Sequence, residues 1–237
     1  MKKRNYFEFK QFRVVQEKSA MKVGIDGILL GAWANFDNCK RILDVGTGTG
    51  LLSLMAAQQT DASIDAVEID GDAFNEATFN FTQSPWADQL TIYKSSFQNF
   101  IPEFKYDHII CNPPFFNNSL KPIEDKRLKA RHTDSLSLDE LLTKAVSLLE
   151  ENGKISLILP ADSEFKLKSL IQEKALFISR ICYVHPFKTK KPNRILVELR
   201  NMPCDLLSNK IIIRNEETNS YSEEYRELTK DFYRSLN

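Results

Sequence analysis

The sequence lacks the patterns that mark metal-binding and disulfide-bonded proteins. Its four cysteines form no CxxC pair, and its three histidines form no HExxH or related motif. Because zinc ligands normally arrive in close pairs, we expect no zinc or other metal site. Widely spaced cysteines are typical of reduced thiols that fill small apolar gaps in an intracellular protein.

The sequence also has few glycines and prolines and no long apolar run. With 8 Gly and 9 Pro in 237 residues, it is neither collagen-like nor of low complexity. No stretch approaches the roughly 18 apolar residues that span a bilayer. The basic residues at 1–6 are not followed by an apolar segment, so a secretory signal is not expected. We therefore expect a cytoplasmic protein that does not bind membranes.

The chain has no net charge, with 32 basic and 32 acidic residues, and this alone disfavours a phosphate-binding surface. The charges are nevertheless segregated along the chain. Residues 1–24 carry +5, residues 37–103 carry −7 and residues 185–200 carry +4. This segregation is compatible with a local phosphate-binding face, while the neutral total argues against strong non-specific binding to nucleic acid.

Short apolar, β-branched runs alternate with helical patterns through the middle of the chain. The alternation predicts an α/β fold with a mostly parallel sheet and helices on both faces. A capping box at Ser137–Glu140 predicts where one helix begins. The predicted strands are 41–45, 63–69, 90–94, 106–111 and 154–159, and the predicted helices are 50–59, 72–82, 138–149 and 162–174.

The alternation of strands and helices stops toward both ends of the chain. Strands at 179–184 and 194–200 are separated by a link too short for a crossover helix, so they should pair as an antiparallel hairpin at the C-terminal edge of the sheet. A strand at 210–214 and a helix at 222–236 follow. We predict three parts: a hairpin and helix extension (1–36), a cofactor-binding core (37–202) and a strand–helix appendage packed on the core (203–237).

A glycine-rich turn, DVGTGTG at 44–50, follows the first core strand and opens a helix. Alternate glycines let the backbone turn sharply and approach a ligand closely. A dinucleotide-binding fingerprint would require glycine at Leu51, so a nicotinamide oxidoreductase is disfavoured. Glu68 ends the next strand, where a carboxylate can accept both ribose hydroxyls. The glycine turn and the glutamate, at the ends of two successive strands, together indicate S-adenosylmethionine as the ligand.

A second motif, Asn112–Phe115 (NPPF), follows the strand at 106–111 and should lie at the same edge of the sheet. The exocyclic amine of a base is a poor nucleophile because its lone pair is delocalised. The side-chain oxygen of Asn112 and the carbonyl of Pro113 can accept its two N–H groups and align the lone pair with a methyl donor. Pro114 stiffens the loop, and Phe115 offers a stacking surface.

Together these motifs resemble class I S-adenosylmethionine-dependent methyltransferases that act on adenine N6 or on an amide nitrogen. The N-terminal FEFKQFRVVQEKSAMKVGIDGILLGAWA, the NPPFF and ARHTDSLSLDELL segments and the C-terminal EEYRELTKDFY are similar to the bacterial tRNA1(Val) adenine-37 N6-methyltransferases. The resemblance covers nearly the whole chain. It implies a Rossmann-like sheet, S-adenosylmethionine as cofactor and tRNA as substrate.

The resemblance also implies roles for particular residues. Asn112, Pro113, Pro114 and Phe115 would hold the target adenine. The cofactor would be bound by Lys22, Asp26, Asp44, Gly46, Thr47, Gly48, Gly50, Glu68, Ile69, Ser96, Phe97 and Asn112.

Three positions depart from the expected family pattern. Ser96 stands where such folds often have an aspartate that binds the cofactor adenine, so that contact would fall to Phe97 and the backbone. Ile25 stands in place of threonine and cannot donate a hydrogen bond. Phe115 stands in place of tyrosine, so stacking is retained but a hydroxyl contact is lost.

Two basic clusters are candidates for contact with RNA phosphates. They consist of Arg127, Lys129, Arg131 and His132 after the NPPF motif, and of Lys188, Lys190, Lys191 and Arg194 between the last two predicted sheet strands.

The sequence leaves alternative substrates open. The leading prediction, which follows the resemblance, is N6 of an adenine in tRNA, namely adenine 37 of tRNA1(Val). The base must leave its stack to reach Asn112, so the target should lie in an unpaired loop. Adenine in rRNA or DNA is a close alternative. A glutamine side chain of a protein presents similar geometry, but only about 36 residues precede the core, too few for the helical recognition domain of that class.

A non-catalytic RNA-binding module would be expected to lose Asn112 or the glycines. The sequence does not fix the oligomeric state, and a monomer is the simplest expectation.

Overall fold

The computed structural model describes residues 5–113 and 136–235, which form a large sheet flanked by helices and a small hairpin. Its strands are β1 (Tyr6–Glu8), β2 (Arg13–Val15), β3 (Arg41–Val45), β4 (Ser63–Glu68), β5 (Leu90–Lys94), β6 (Tyr106–Cys111), β7 (Leu149–Pro160), β8 (Phe177–His185), β9 (Arg194–Arg200) and β10 (Leu207–Ile212). Its helices are α1 (Ile25–Trp33), α2 (Leu51–Ala57), α3 (Gly71–Thr82), α4 (Leu138–Leu148), α5 (Glu164–Glu173) and α6 (Glu223–Thr229).

The large sheet has eight strands in the order β10-β8-β9-β7-β6-β3-β4-β5. The five strands from β7 to β5 are parallel to one another, whereas β9 runs antiparallel to both β7 and β8. The predicted α/β sheet, mostly parallel with one antiparallel hairpin, is therefore confirmed. The sheet continues beyond that hairpin, because β10 pairs with β8 in parallel and takes the edge position.

Helices cover both faces of the sheet, as the alternation of buried side chains along its strands demonstrates. Ile42 and Leu43, neighbours on β3, belong to two separate apolar clusters, and so do Ile110 and Ile109 on β6. Since successive strand residues point to opposite faces, one cluster lies on each side. One cluster includes residues of α1, α2, α3 and α6, and the other includes residues of α4 and α5.

The strand order places a crevice between β3 and β6. From β3 the chain winds outward through β4 to β5, then returns to add β6 on the other side of β3. Ligands of open α/β sheets bind outside the carboxyl ends of the strands at such a reversal. Val45 and Cys111 are paired in register there. The glycine turn after β3 and Asn112 after β6 consequently face the same crevice.

The first and last parts of the described chain pack against each other. Lys10 N donates to Phe232 O (2.8 Å), and Phe9 and Tyr233 form an isolated antiparallel bridge. The C-terminal helix, predicted over 222–236, therefore ends at Thr229. Its apolar spacing continues through Phe232, but that residue pairs with the β1–β2 hairpin instead of continuing the helix. In the part of the chain that the structure describes, no helix is long and apolar enough to cross a membrane.

Candidate active site

The glycine turn after β3 has a backbone that only glycine adopts readily. Gly46, Gly48 and Gly50 have φ values of 67°, 59° and 86°, in the left-handed region that disfavours other residues. Gly46 N and Thr47 N both donate to the carbonyl of Val67, at 2.9 and 3.2 Å, which ties the turn to β4. A Cβ at Gly46 or Gly48 would meet no atom within 4 Å, so both glycines border open space that a ligand could fill.

Glu68 lies beside this turn and is held by two backbone amides. Its Oε2 accepts from Gly48 N and its Oε1 from Asp70 N, both at 2.8 Å. The residue is only 7% exposed. An ionised carboxylate has about four acceptor positions, so each oxygen can still accept a hydroxyl proton. Glu68 could therefore bind a ribose while the amides fix its orientation.

Asp44 supports the turn from below and does not reach the cleft. Its Oδ2 accepts from Thr47 Oγ1 (2.5 Å), Ser53 Oγ (2.7 Å) and Ser53 N (3.1 Å). The side chain is fully buried, and this burial raises the pKa of the carboxyl from 3.8 to about 6, against the opposing effect of these hydrogen bonds. Asp44 thus joins the glycine turn to the first turn of α2.

Asn112 presents an unused hydrogen-bond acceptor at the opposite side of the crevice. Its Oδ1 is buried and has no partner among the described residues. Buried oxygens are normally hydrogen-bonded, and because Asn112 also lines the crevice, its unused acceptor is placed where a ligand could donate to it. Helix α1 packs closely behind this side chain: a Cβ at Gly27 would lie 4.0 Å from Asn112 Nδ2 and 2.9 Å from Leu51 Cδ2.

The segment before α1 forms a third wall, and two polar residues of α3 hold it in place. Glu76 accepts from the backbone amides of Lys18 (2.5 Å) and Ser19 (3.0 Å). Asn80 exchanges two hydrogen bonds with the backbone of Val15 and donates to Thr49 O of the glycine turn at 2.9 Å. Both side chains are buried. The sequence analysis missed them, although they lie on the same face of α3 as its buried alanines.

These walls enclose a cleft of about 780 Å³ at the carboxyl edge of the sheet. This is the size of a pocket for a small organic cofactor. It brings together most of the residues predicted for the cofactor and the target, namely Lys22, Asp26, Gly46, Thr47, Gly48, Glu68, Ile69, Ser96, Phe97, Asn112 and Pro113, and it adds Arg194 from the predicted RNA contacts. Gly50 and Asp44 lie behind this lining.

Two of the lining residues have partners that differ from the predicted roles. The ammonium of Lys22 donates to the carbonyls of Gln16 (2.6 Å) and Glu17 (3.2 Å), so it braces the N-terminal segment. Arg194, predicted among the RNA contacts, donates from Nε to Asp26 Oδ2 at 2.9 Å. The sequence analysis did not predict the contribution of the neighbouring Ser19–Met21 segment, which has no recognisable ligand-binding motif.

The remaining predicted residues lie away from the cleft or outside the described ranges. Lys188, Lys190 and Lys191 are exposed on the loop between β8 and β9. Pro114, Phe115, Arg127, Lys129, Arg131 and His132 lie outside the described residues. Within 5–113 and 136–235, no group of three His, Cys, Asp or Glu side chains is placed to hold a metal ion.

Solved structures share this fold. A predicted O-methyltransferase from Agrobacterium tumefaciens matches 87% of this chain and 96% of its own, with 18% identity and a TM-score of 0.67. P. horikoshii TYW2, solved in complex with MeSAdo, matches 82% of this chain and 70% of its own, with 14% identity and a TM-score of 0.59. The described residues therefore have the fold of these methyltransferases.

Residues 28–182 match the sequence profile of the methyltransferase small domain. The tRNA1(Val) (adenine(37)-N6)-methyltransferase of Parabacteroides distasonis is 45% identical over 230 residues, which is 96% of this chain and 97% of that protein. The enzyme of the same name from Flavobacterium psychrophilum is 44% identical over 233 residues, covering 96% and 98%. The chain belongs to the tRNA1(Val) (adenine(37)-N6)-methyltransferase family.

Proposed function

We propose that this protein transfers the methyl group of S-adenosylmethionine to N6 of an adenine in tRNA, namely adenine 37 of tRNA1(Val). The observation that carries the proposal is the buried, unpartnered Oδ1 of Asn112 across the crevice from the glycine turn. The names of the close relatives supply the tRNA and the position. As tRNA is the substrate, we place the protein in the cytoplasm.

The cleft fits the cofactor that the family implies. The open space beside Gly46 and Gly48 suits the methionine end. Glu68 is positioned for the ribose, and the half-exposed side chain of Ile69 next to it suits an adenine ring. Ser96 Oγ accepts from Asn99 N at 3.4 Å, so its hydroxyl can still donate to the cofactor adenine. Phe97, which is buried, contributes mainly through its backbone.

Asn112 and Pro113 would then align the target amine. When bound, S-adenosylmethionine supplies an electrophilic methyl group. Asn112 Oδ1 and the Pro113 carbonyl each accept one N–H of the adenine amine, which turns its lone pair away from the ring and toward that methyl. N6 would gain the methyl group as the bound cofactor lost it from its sulfur, and the extra proton on N6 would then leave to solvent. No general base is needed before transfer, since the neutral amine requires alignment rather than deprotonation.

The test uses the full-length protein with radiolabelled cofactor and separate pools of tRNA, rRNA and DNA. A nucleoside digest then identifies the product. We expect label in N6-methyladenosine from tRNA alone. Label in rRNA or DNA instead would replace the proposed substrate with that alternative.

Variants at two asparagines test whether methyl transfer takes place in the cleft at Asn112. Asn112→Ala should reduce transfer by at least about a hundredfold, as expected when one preorganised acceptor in an active site is lost. Cofactor binding should change little. Asn209→Ala, on the exposed edge strand β10, is the matched control and should keep full activity.

A further inference from the structure

An aromatic side chain stands almost fully in solvent at the start of α5, which follows β7 at the carboxyl edge of the sheet. Phe165, in the first turn of α5, is 86% exposed, whereas Leu167 and Ile171 of the same helix are buried. Phe165 therefore lies off the face that packs on the sheet. Single exposed apolar residues are common on proteins, so its surroundings decide whether the residue has a function.

Hydrogen bonds fix this turn of α5 against the β8–β9 hairpin. Glu164 Oε1 accepts from the hydroxyl of Tyr183 on β8 at 3.0 Å. Ala161 N, just before the helix, donates to Asn193 O at the end of the hairpin loop (3.2 Å). The backbone next to Phe165 is therefore held in position, which limits the entropy lost when a ligand stacks on the ring.

The same contacts join the start of α5 to β9, the strand whose first residue lines the cleft. Pro160, at the end of β7, is paired in register with Arg194, the first residue of β9. Arg194 lines the cleft through its ion pair with Asp26. Phe165 follows Pro160 by little more than one helical turn, on the same carboxyl edge of the sheet as Asn112.

The charges around Phe165 are mostly positive. Lys166 is exposed next to it, and Lys188, Lys190 and Lys191 are exposed on the neighbouring loop. Of the nearby acids, Glu164 is paired with Lys168 at 2.7 Å and Glu216 accepts from Thr189, while Asp162 is exposed. A flat apolar ring with exposed lysines on its own helix and on the β8–β9 loop matches single-stranded nucleic acid, whose bases stack on aromatics while its phosphates bind cations.

We propose that Phe165 stacks on the base of a nucleotide adjacent to the target adenine. The inference rests on the proposed function. When the adenine leaves its stack to reach Asn112, it uncovers one face of its neighbour, and an aromatic ring that covers this face offsets part of the lost stacking. Phe165 thus stabilises the opened loop of the RNA, and the lysines contact its phosphates.

The experiment measures KM for the tRNA transcript and Kd for S-adenosylhomocysteine in three variants. Phe165→Ala should raise KM for tRNA about tenfold, within the range for loss of one base–aromatic stack. Phe165→Tyr keeps the ring and should retain KM. Ile101→Ala, at an equally exposed apolar side chain (87%) in the loop between β5 and β6, is the control and should behave as wild type.

A second readout separates stacking from charge. The dependence of tRNA affinity on salt should be unchanged in Phe165→Ala, whereas Lys190→Ala/Lys191→Ala should reduce its slope. A wild-type KM in Phe165→Ala, or a raised KM also in Phe165→Tyr, would overturn the inference while leaving tRNA methylation intact. If the wild-type protein does not methylate tRNA at all, the proposed function itself fails.

Discussion

The carboxylate of Asp26 lies 2.9 Å from Nε of Arg194, although the two residues are 168 positions apart in the chain. Asp26 is in the first turn of α1, and Arg194 begins β9. Both side chains line the cleft and are partly exposed. The ion pair therefore joins the N-terminal wall of the cofactor site to the sheet, close to the predicted RNA-binding loop.

This ion pair should contribute to cofactor affinity through the position of the N-terminal wall. We expect Asp26→Asn and Arg194→Ala each to weaken binding of S-adenosylhomocysteine several-fold. The double variant should be less than additive, with a coupling energy of about 1 kcal/mol, the upper end for partly exposed pairs. Isothermal titration calorimetry on the four proteins measures this coupling. Strictly additive effects would mean that the pair does not act as a unit.

The second prediction concerns Glu68 and the affinity for S-adenosylhomocysteine. Glu68→Gln keeps the size of the side chain but removes the charge and one of its two acceptor oxygens. Hydrogen bonds to charged groups contribute about 1.5–3 kcal/mol, so S-adenosylhomocysteine should bind about 10- to 100-fold more weakly. Glu217→Gln, on the exposed turn after β10, is the control. Unchanged calorimetric affinity in Glu68→Gln would argue against a ribose contact.

The buried carboxyl of Asp44 predicts a pH dependence of stability. Its pKa is raised from 3.8 to about 6 in the folded protein because burial removes water from the carboxylate. The protonated form is therefore favoured by folding, and its contribution is present below pH 4 and lost as the pH rises through about 6. Urea unfolding should show that the free energy of unfolding of the wild type, relative to Asp44→Asn, falls across this window by at most about 3 kcal/mol. A difference that is independent of pH would contradict the raised pKa.

Asn80 should matter both for stability and for the cofactor site. Its side chain makes three hydrogen bonds, at 2.8 to 3.0 Å, to the backbone of Val15 and Thr49. Asn80→Ala leaves buried backbone groups unpaired, so the free energy of unfolding should fall by about 2–4 kcal/mol. Because Val15 leads into the wall at Ser19, cofactor affinity should fall as well. Asn209→Ala serves as the reference, and equal stability of the two variants would contradict this role.

Local patterns predicted much of the fold. The strands at 41–45, 90–94, 106–111 and 194–200 have the predicted bounds, since each is a compact apolar run ended by turn-forming or polar residues. The capping box at Ser137 and Glu140 is present in the structure. The C-terminal helix was predicted too long because the pairing of Phe9 with Tyr233 depends on contacts between distant parts of the chain.

The site was predictable only where its residues fall in short motifs. The glycine turn, Glu68 and Asn112 can be recognised from the sequence alone. They belong to short motifs that lie at the ends of neighbouring strands. The pairing of Asp26 with Arg194 and the anchoring by Glu76 and Asn80 could not be predicted, because they depend on how distant elements pack. The one sign of the anchoring in the sequence is that Glu76 and Asn80 interrupt the otherwise apolar face of α3.

The most direct test is the position of the methyl group in tRNA1(Val) after reaction with the purified protein. Unmodified transcript is incubated with S-adenosylmethionine, cut by a base-specific nuclease and analysed by mass spectrometry. We predict one added methyl, on N6 of adenine 37, and none with Asn112→Ala. Methylation at another nucleotide or another atom of the base, or an unchanged product with Asn112→Ala, would contradict the account.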